Sequence, residues 1–147
     1  MNNYNYFNED WYKNIPSNLY SVRNINSNPN LTTPTEGYIR GNLFANLYDQ
    51  YKNYQPAQLR ASNEQERLFL ELSSIHFAAH ELNLYLDLNP NDITLLKLFN
   101  DYRERCEQLT KEYESKYGPL TIKSDSLNQT PFMWEKSPWP WEDRFNV

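Results

Sequence analysis

Two long amphipathic segments dominate residues 62–119. Along each segment, apolar side chains recur at alternating steps of four and three residues. These positions are Leu68, Leu72, Ile75, Ala79, Leu82 and Leu86 in the first segment, and Leu95, Phe99, Tyr102, Cys106, Leu109 and Tyr113 in the second. Because such steps keep residues on one face of a helix, each segment is predicted to present one apolar stripe. The short polar break at Asn89 and Pro90 then predicts an antiparallel hairpin of two helices, each of about 26 residues.

The ends of the two predicted helices carry start and stop signals. Ser62 followed by Gln65 predicts a capping box at the start of the first helix. Asn89 before Pro90 predicts the end of the first helix and the N-cap of the second, because proline holds the residue before it out of the helical region. Gly118 is predicted to take a left-handed conformation that ends the second helix.

Pattern and composition divide the chain into four regions. They are a weakly ordered, Asn-rich arm at 1–33, an intermediate segment at 34–60, the hairpin at 61–119 and an extended aromatic and proline-rich tail at 120–147. In the intermediate segment, a loop at Glu36 and Gly37 is predicted to precede one short helix. That helix is predicted from the spacing of Leu43, Leu47, Tyr51 and Tyr54. The predicted fold class is all-α: a two-helix hairpin with a short third helix and an extended tail.

Two helices alone leave apolar surface that needs a third layer or a partner. A second apolar set lies off the main stripes and comprises Phe69, Phe77, Leu84, Leu88 and Leu98. The tail offers large anchors, because its prolines favour an extended path and leave its Trp rings available. Those rings either fold back onto the hairpin or fill pockets on another protein. The interface candidates are Phe77, Leu84, Leu88, Trp134, Trp139 and Trp141.

Charge and composition argue against several classes of function. The formal net charge of -5, without a run of basic residues, is unlike a dedicated nucleic-acid binder. No apolar stretch approaches the roughly 20 residues that span a bilayer, and the polar start is unlike a secretory signal. We therefore expect a soluble protein that is made and kept inside a cell. Cys106, the single cysteine, lies on the apolar stripe and is predicted to be a small core residue rather than a reactive thiol.

The charged residues of the second segment predict an ordinary solvated helix face. Four glutamates interleave with four basic residues: Glu104, Glu107, Glu112 and Glu114 with Arg103, Arg105, Lys111 and Lys116. Pairs of this kind at helical spacing contribute a few tenths of a kcal/mol each. No phosphate-binding loop, nucleophile with its base, or paired acid and base stands out. The sequence predicts no enzyme and no cofactor.

His76 and His80 are four residues apart, which is metal-ligand spacing on a helix. The zinc-protease pattern requires Glu directly after the first His, and Phe77 stands there. Di-metal helical bundles require Glu three residues before each His, and neither His has one. We therefore predict no resident metal and interpret the pair as half-buried polar residues beside the stripe. A small metal-binding protein that uses His76 and His80 stays as an alternative.

Several elements of the chain resemble, in order and spacing, the spore coat protein CotJB family. They are Glu-Leu-Asn-Leu-Tyr-Leu-Asp at 81–87, Asn-Pro-Asn-Asp at 89–92, Tyr-Glu-Ser-Lys-Tyr-Gly-Pro-Leu at 113–120, Trp134, and Pro-Trp-Pro-Trp at 138–141. The resemblance covers roughly residues 64–142. Upstream, residues 34–54, with Arg-Gly-Asn-Leu-Phe at 40–44, are similar to the short companion coat protein CotJA.

The resemblance implies a small, non-enzymatic structural component of the bacterial endospore coat. Such a protein would be made in the mother-cell cytoplasm and then assembled into the coat. The resemblance also implies a partner, the manganese-catalase-like coat protein CotJC, which would hold the metals, in addition to other coat proteins. The residues themselves leave open a homo-oligomer in which two hairpins pair into a four-helix bundle.

Overall fold

The computed structural model describes residues 30–46 and 59–135, and these segments are built from helices. The elements are α1 (Pro34–Arg40), α2 (Glu64–Leu88), α3 (Ile93–Tyr117) and two short 3-10 turns, Asp125–Asn128 and Met133–Glu135. α2 and α3 form an antiparallel hairpin, because Gln65 near the start of α2 donates to the Tyr113 hydroxyl near the end of α3 at 3.1 Å. The described residues contain no β-strand, only one isolated bridge. The predicted all-α hairpin is confirmed.

The two predicted stripes form the core of the hairpin. Nine of their twelve residues are buried: Leu68, Leu72, Ile75, Ala79 and Leu82 from α2, and Leu95, Tyr102, Leu109 and Tyr113 from α3. The other three, Leu86, Phe99 and Cys106, are partly buried against this core. Tyr102 is the largest of the fully buried side chains. The four- and three-residue steps therefore identified the packed face of each helix correctly.

The start of α2 differs from the prediction by one residue. Asn63, with an extended backbone, is the N-cap, and its side-chain oxygen accepts from the Glu66 N–H at 2.8 Å. The Glu66 carboxylate in turn accepts from the Ser62 N–H at 2.6 Å. The predicted box of Ser62 and Gln65 is wrong because Asn caps a helix at least as well as Ser, and a carboxylate is a stronger acceptor than the Gln65 amide.

The connection between α2 and α3 also needs one correction. α2 ends at Leu88, as the position of Pro90 predicts. Asn89 does not cap α3, since its N–H donates to the Tyr85 carbonyl and closes the end of α2. The N-cap of α3 is Asp92, whose carboxylate accepts from the Leu95 N–H at 3.0 Å. An ionised carboxylate at this position also interacts favourably with the positive end of the helix dipole.

Residues 30–46, here called the N-terminal loop, form a closed segment around α1. The Leu31–Phe44 bridge closes it, and the Thr32 N–H donates to the Leu43 carbonyl at 2.9 Å. Thr33 and Glu36 form a reciprocal capping box at the start of α1, with Pro34 in its first turn. This signal makes residues 36–40 helical, so the predicted loop at Glu36 and Gly37 is wrong.

Of the residues that the structure describes in this segment, the helix α1 lies before Leu43. Residues 43–46 are not helical, and the chain leaves α1 at Gly41, whose φ of +70° is the left-handed conformation that glycine adopts without strain. The other residues from which that helix was predicted, Leu47, Tyr51 and Tyr54, lie outside the described residues.

The N-terminal loop covers part of the outer side of α2. Leu43 and Phe44 are buried and belong to the core. The Phe44 ring stacks on Tyr85 with 5.3 Å between ring centroids, and the Leu43 N–H donates to the Glu81 carboxylate at 3.4 Å. A β-carbon on Gly37 would lie 3.1 Å from the Leu43 Cα, so α1 lies very close to the returning chain.

The chain turns back at the base of the hairpin, where α3 ends. Gly118 has φ of +113°, which favours glycine, although its ψ of 174° differs from the predicted left-handed helical conformation. Leu120 is partly buried against the core, and the indole N–H of Trp134 donates to the Pro119 carbonyl at 3.3 Å. With its two 3-10 turns, this part of the tail is folded rather than extended. The Pro-Trp-Pro-Trp segment at 138–141 lies outside the described residues.

Candidate protein-interaction surfaces

Exposed large hydrophobic side chains lie at the two ends of the hairpin. Within the described part of the chain there are seven: Leu84, Leu88, Ile93 and Leu96 around the connection of α2 and α3, and Tyr117, Ile122 and Phe132 at the base. We call the first four the turn patch and the other three the base patch. The long middle of the hairpin, between residues 97 and 116 of α3 and opposite them on α2, contributes none of these seven.

The turn patch continues a face of α2 that the N-terminal loop covers only in part. Phe77, Glu81, Leu84 and Leu88 follow one another at helical spacing on this face. The loop contacts Phe77 and Glu81, whereas Leu84 is 49% exposed and Leu88 is 85% exposed. Ile93 and Leu96, at the start of α3, are 80% and 43% exposed. The turn end of the hairpin therefore carries four of the seven exposed large hydrophobic side chains in the described part of the chain.

The four predicted interface residues that the structure describes do not lie on one surface. Phe77 is half-buried, and its ring meets the edge of Tyr38 with 5.9 Å between centroids, so it supports the fold. Leu84 and Leu88 are exposed at the turn end. Trp134 is half-buried at the base, where its ring is 6.4 Å from that of Phe132.

The two ends are separated by the length of a helix. α3 contains 25 residues and is about 37 Å long at 1.5 Å per residue. Leu88 and Trp134 lie near opposite ends of this length, so one small contact area cannot include both. Trp139 and Trp141 lie outside the described residues, and their role in an interface stays a prediction.

A buried ion network joins α2 and α3 near the middle of the hairpin. Glu71 is 4% exposed, and its carboxylate accepts from Arg105 at 2.6 Å and from Arg67 at 3.2 Å. Arg67 also pairs with Glu64 at 2.6 Å, and hydrogen bonding to Arg67 lowers the pKa of Glu64. Burying a carboxylate is unfavourable unless charged donors surround it, and Arg67 and Arg105 supply those donors. Because Arg105 belongs to α3, its ion pair also fixes Glu71 relative to that helix.

The predicted solvated face of α3 is confirmed for two ion pairs and wrong for Arg105. Lys111 pairs with Glu107, and Lys116 with Glu112, each at 2.7 Å and exposed to solvent. Arg105 instead turns towards α2 because it follows the buried Tyr102 by three residues and lies at the edge of the apolar stripe. The partner of Arg105 on α2 also lies at the edge of its stripe, because Glu71 directly precedes the stripe residue Leu72.

Cys106 packs against the core, as predicted from its place on the stripe. Burial raises the pKa of its thiol to about 11. Since the thiolate is the reactive form of cysteine, this thiol is a poor nucleophile and a poor metal ligand near neutral pH. The position therefore contributes packing rather than chemistry.

His76 and His80 lie on an exposed face of α2, which corrects the expectation that they are half-buried. Within residues 30–46 and 59–135, no group of three or more His, Cys, Asp or Glu side chains is placed to hold a metal ion. None of the helices in these two ranges combines the length and the apolar character needed to cross a membrane.

Comparison with known proteins identifies one family. The model of the family described as CotJB protein matches residues 66–142, which include nearly all of α2, the connection, α3 and the base. The N-terminal loop lies outside this match. Residues 34–54 also lie outside it, and their similarity to CotJA stays a prediction. No curated protein and no solved structure matches the chain. Because the match covers more than half of the 147 residues, the chain belongs to the CotJB family of spore coat proteins.

Proposed function

We propose that this protein is a non-enzymatic structural component of the endospore coat that acts in coat assembly by binding a manganese-catalase-like coat protein. Membership of a spore coat family supports the place of action. The observation that carries the binding role is the turn patch, because four large aliphatic side chains near the connection of α2 and α3 are exposed to solvent.

Burial of the turn patch would supply a substantial part of the binding free energy. Fully burying Leu88 or Ile93, which are 85% and 80% exposed, contributes roughly 1.5–3 kcal/mol each, and the partly covered Leu84 and Leu96 contribute less. Association costs at least about 4 kcal/mol in lost translational and rotational freedom, so several of these side chains must be buried together. Asp87 and Asp92 flank the patch, and a complementary partner surface is therefore apolar with basic residues at its rim.

The C-terminal tail supplies a second contact in this proposal. Trp139 and Trp141 alternate with Pro138 and Pro140, a sequence that favours a stiff, extended path with little conformational entropy left to lose. The tail leaves the hairpin at its base, about 37 Å from the turn patch. The two contacts would therefore reach separate areas of the coat partner, and loss of either should weaken binding without abolishing it.

A capture experiment with the purified full chain and the coat partner tests this proposal. We expect Leu84→Gln plus Leu88→Gln to reduce capture at least tenfold, and Trp139→Ala plus Trp141→Ala to reduce it as well. The matched control is Glu107→Gln plus Lys111→Gln, which changes two exposed residues in the middle of α3 and should leave capture unchanged. Circular dichroism should show the same helix content in all variants.

Two outcomes would contradict the proposal. Undiminished capture by the Leu84 and Leu88 variant would remove the turn patch from the interface. Loss of helical signal in the Trp139 and Trp141 variant would assign those rings to the fold instead of the partner.

A self-associating scaffold is the second candidate, since the turn patch could equally be buried against a second copy of the chain. Light scattering on the purified protein separates the two. A partner-dependent adaptor is monomeric alone, whereas a homo-oligomer has at least twice the mass and loses it in the Leu84→Gln plus Leu88→Gln variant.

A further inference from the structure

The only two histidines of the 147-residue chain lie one helical turn apart on α2. Both His76 and His80 are exposed. They lie well inside α2, which runs from Glu64 to Leu88, so the helix around them is supported on both sides by packed turns. The spacing of the two rings is therefore fixed by the helix and not by a flexible loop.

Neither imidazole is engaged by another described residue. The hydrogen bonds and ion pairs of residues 30–46 and 59–135 do not include His76 or His80. On one side of them, Phe77 and Glu81 contact the N-terminal loop, and on the other side the core stripe packs against α3. The two rings occupy the open face between these contacts, and their ring nitrogens are accessible to a ligand.

Side chains four residues apart on a helix have β-carbons about 5–6 Å apart. Two imidazoles at this distance can each bring a ring nitrogen to within about 2.0–2.1 Å of a shared ion. We propose that His76 and His80 form a two-imidazole chelate for a late first-row divalent cation. Copper(II) should bind most tightly, with nickel(II) and zinc(II) weaker. Hard cations such as magnesium and calcium prefer oxygen ligands and should not compete.

This chelate differs from the enclosed metal centres that the sequence argues against. Two protein ligands leave the other coordination positions to water, so the ion remains exchangeable and open to solvent. The inference does not depend on the proposed binding of a coat partner. It also predicts a link to folding: because the two rings come together only when residues 76–80 are helical, bound ion should stabilise α2.

A titration of the full chain, expressed without a histidine tag, tests the chelate. Copper(II) is followed by its visible absorption and by the shift in thermal midpoint, and zinc(II) is measured by competition. The matched control is His80→Asn plus Asn83→His, which keeps the composition and the exposed positions but places the histidines seven residues apart. At about 10.5 Å along the helix axis, these rings cannot share one ion.

We expect the natural chain to bind one copper(II) ion at least tenfold more tightly than the control, with a rise in thermal midpoint that the control lacks. His80→Ala should show the same loss, and it keeps the test decisive if the control folds poorly. Cys106→Ser should bind as the natural chain does, which excludes the thiol. Equal affinity in the natural chain and in either histidine variant would overturn the proposal, as would a midpoint that does not rise with copper(II).

Discussion

Two halves of one face of α2 meet different surroundings. Towards the middle of the helix, Phe77 contacts Tyr38, and Glu81 accepts from the Leu43 N–H. Towards the turn, Leu84 and Leu88 continue the same spacing but are exposed. The comparison shows that helical periodicity identifies the face that can be buried, whereas its actual burial depends on a segment far away in sequence. Leu43 and Glu81 are 38 residues apart.

The largest expected difference between the two halves is in stability. Leu43 of the N-terminal loop is fully buried against the covered half of this face, so Leu43→Ala should lower the free energy of unfolding by about 2–5 kcal/mol. Leu88→Ala removes the same kind of side chain from the uncovered half and should change the free energy of unfolding by less than about 0.5 kcal/mol. Urea denaturation of both variants measures the contrast.

The result also tests whether the N-terminal loop belongs to the folded unit. A Leu43→Ala cost close to that of Leu88→Ala would mean that the loop does not contribute to the stability of the hairpin. A large cost would show that the folded unit extends beyond residues 66–142, the range of the family match.

The hairpin could be predicted because its signals are local. Leu72, Ile75 and Leu82 repeat at helical spacing, and proline at position 90 limits the first helix through contacts between neighbouring residues. The exact caps were harder, because Ser62 and Asn63 are both good N-caps and only the geometry of the first turn decides between them.

The candidate site could be predicted only in part. Leu84 and Leu88, which were predicted as interface candidates, are exposed, whereas the exposed Ile93 and Leu96 were not predicted because they fall between the stripe positions of α3. Phe77 was grouped with them since periodicity cannot show that Tyr38 covers it. Whether such a residue is covered depends on contacts between distant segments, and the periodicity of a single sequence does not show which segments pack together.

A smaller effect is expected where the N-terminal loop leaves α1. Gly41 has φ of +70°, and a β-carbon in this conformation costs about 1–2 kcal/mol. Gly41→Ala should lower the free energy of unfolding by about that amount, although the space around the position is open. Gly41→Asn is the matched control and should cost less, because Asn adopts this conformation more readily than other residues. Equal costs for Ala and Asn in urea denaturation would show that the backbone at Gly41 is not the source of the effect.

The smallest expected effect is the coupling energy between the rings of Tyr38 and Phe77, which is present only in the covered half of the α2 face. A double-mutant cycle with Tyr38→Leu and Phe77→Leu should give a coupling energy of about 0.5–1.5 kcal/mol, since edge-to-face rings attract each other beyond the area they bury. The same cycle with Tyr38→Leu and Leu84→Ala should give a coupling within about 0.3 kcal/mol of zero, because Leu84 lies two turns farther along α2. Comparable couplings in both cycles would mean that the loop reaches the turn patch in solution, and the patch would then be less available to a coat partner.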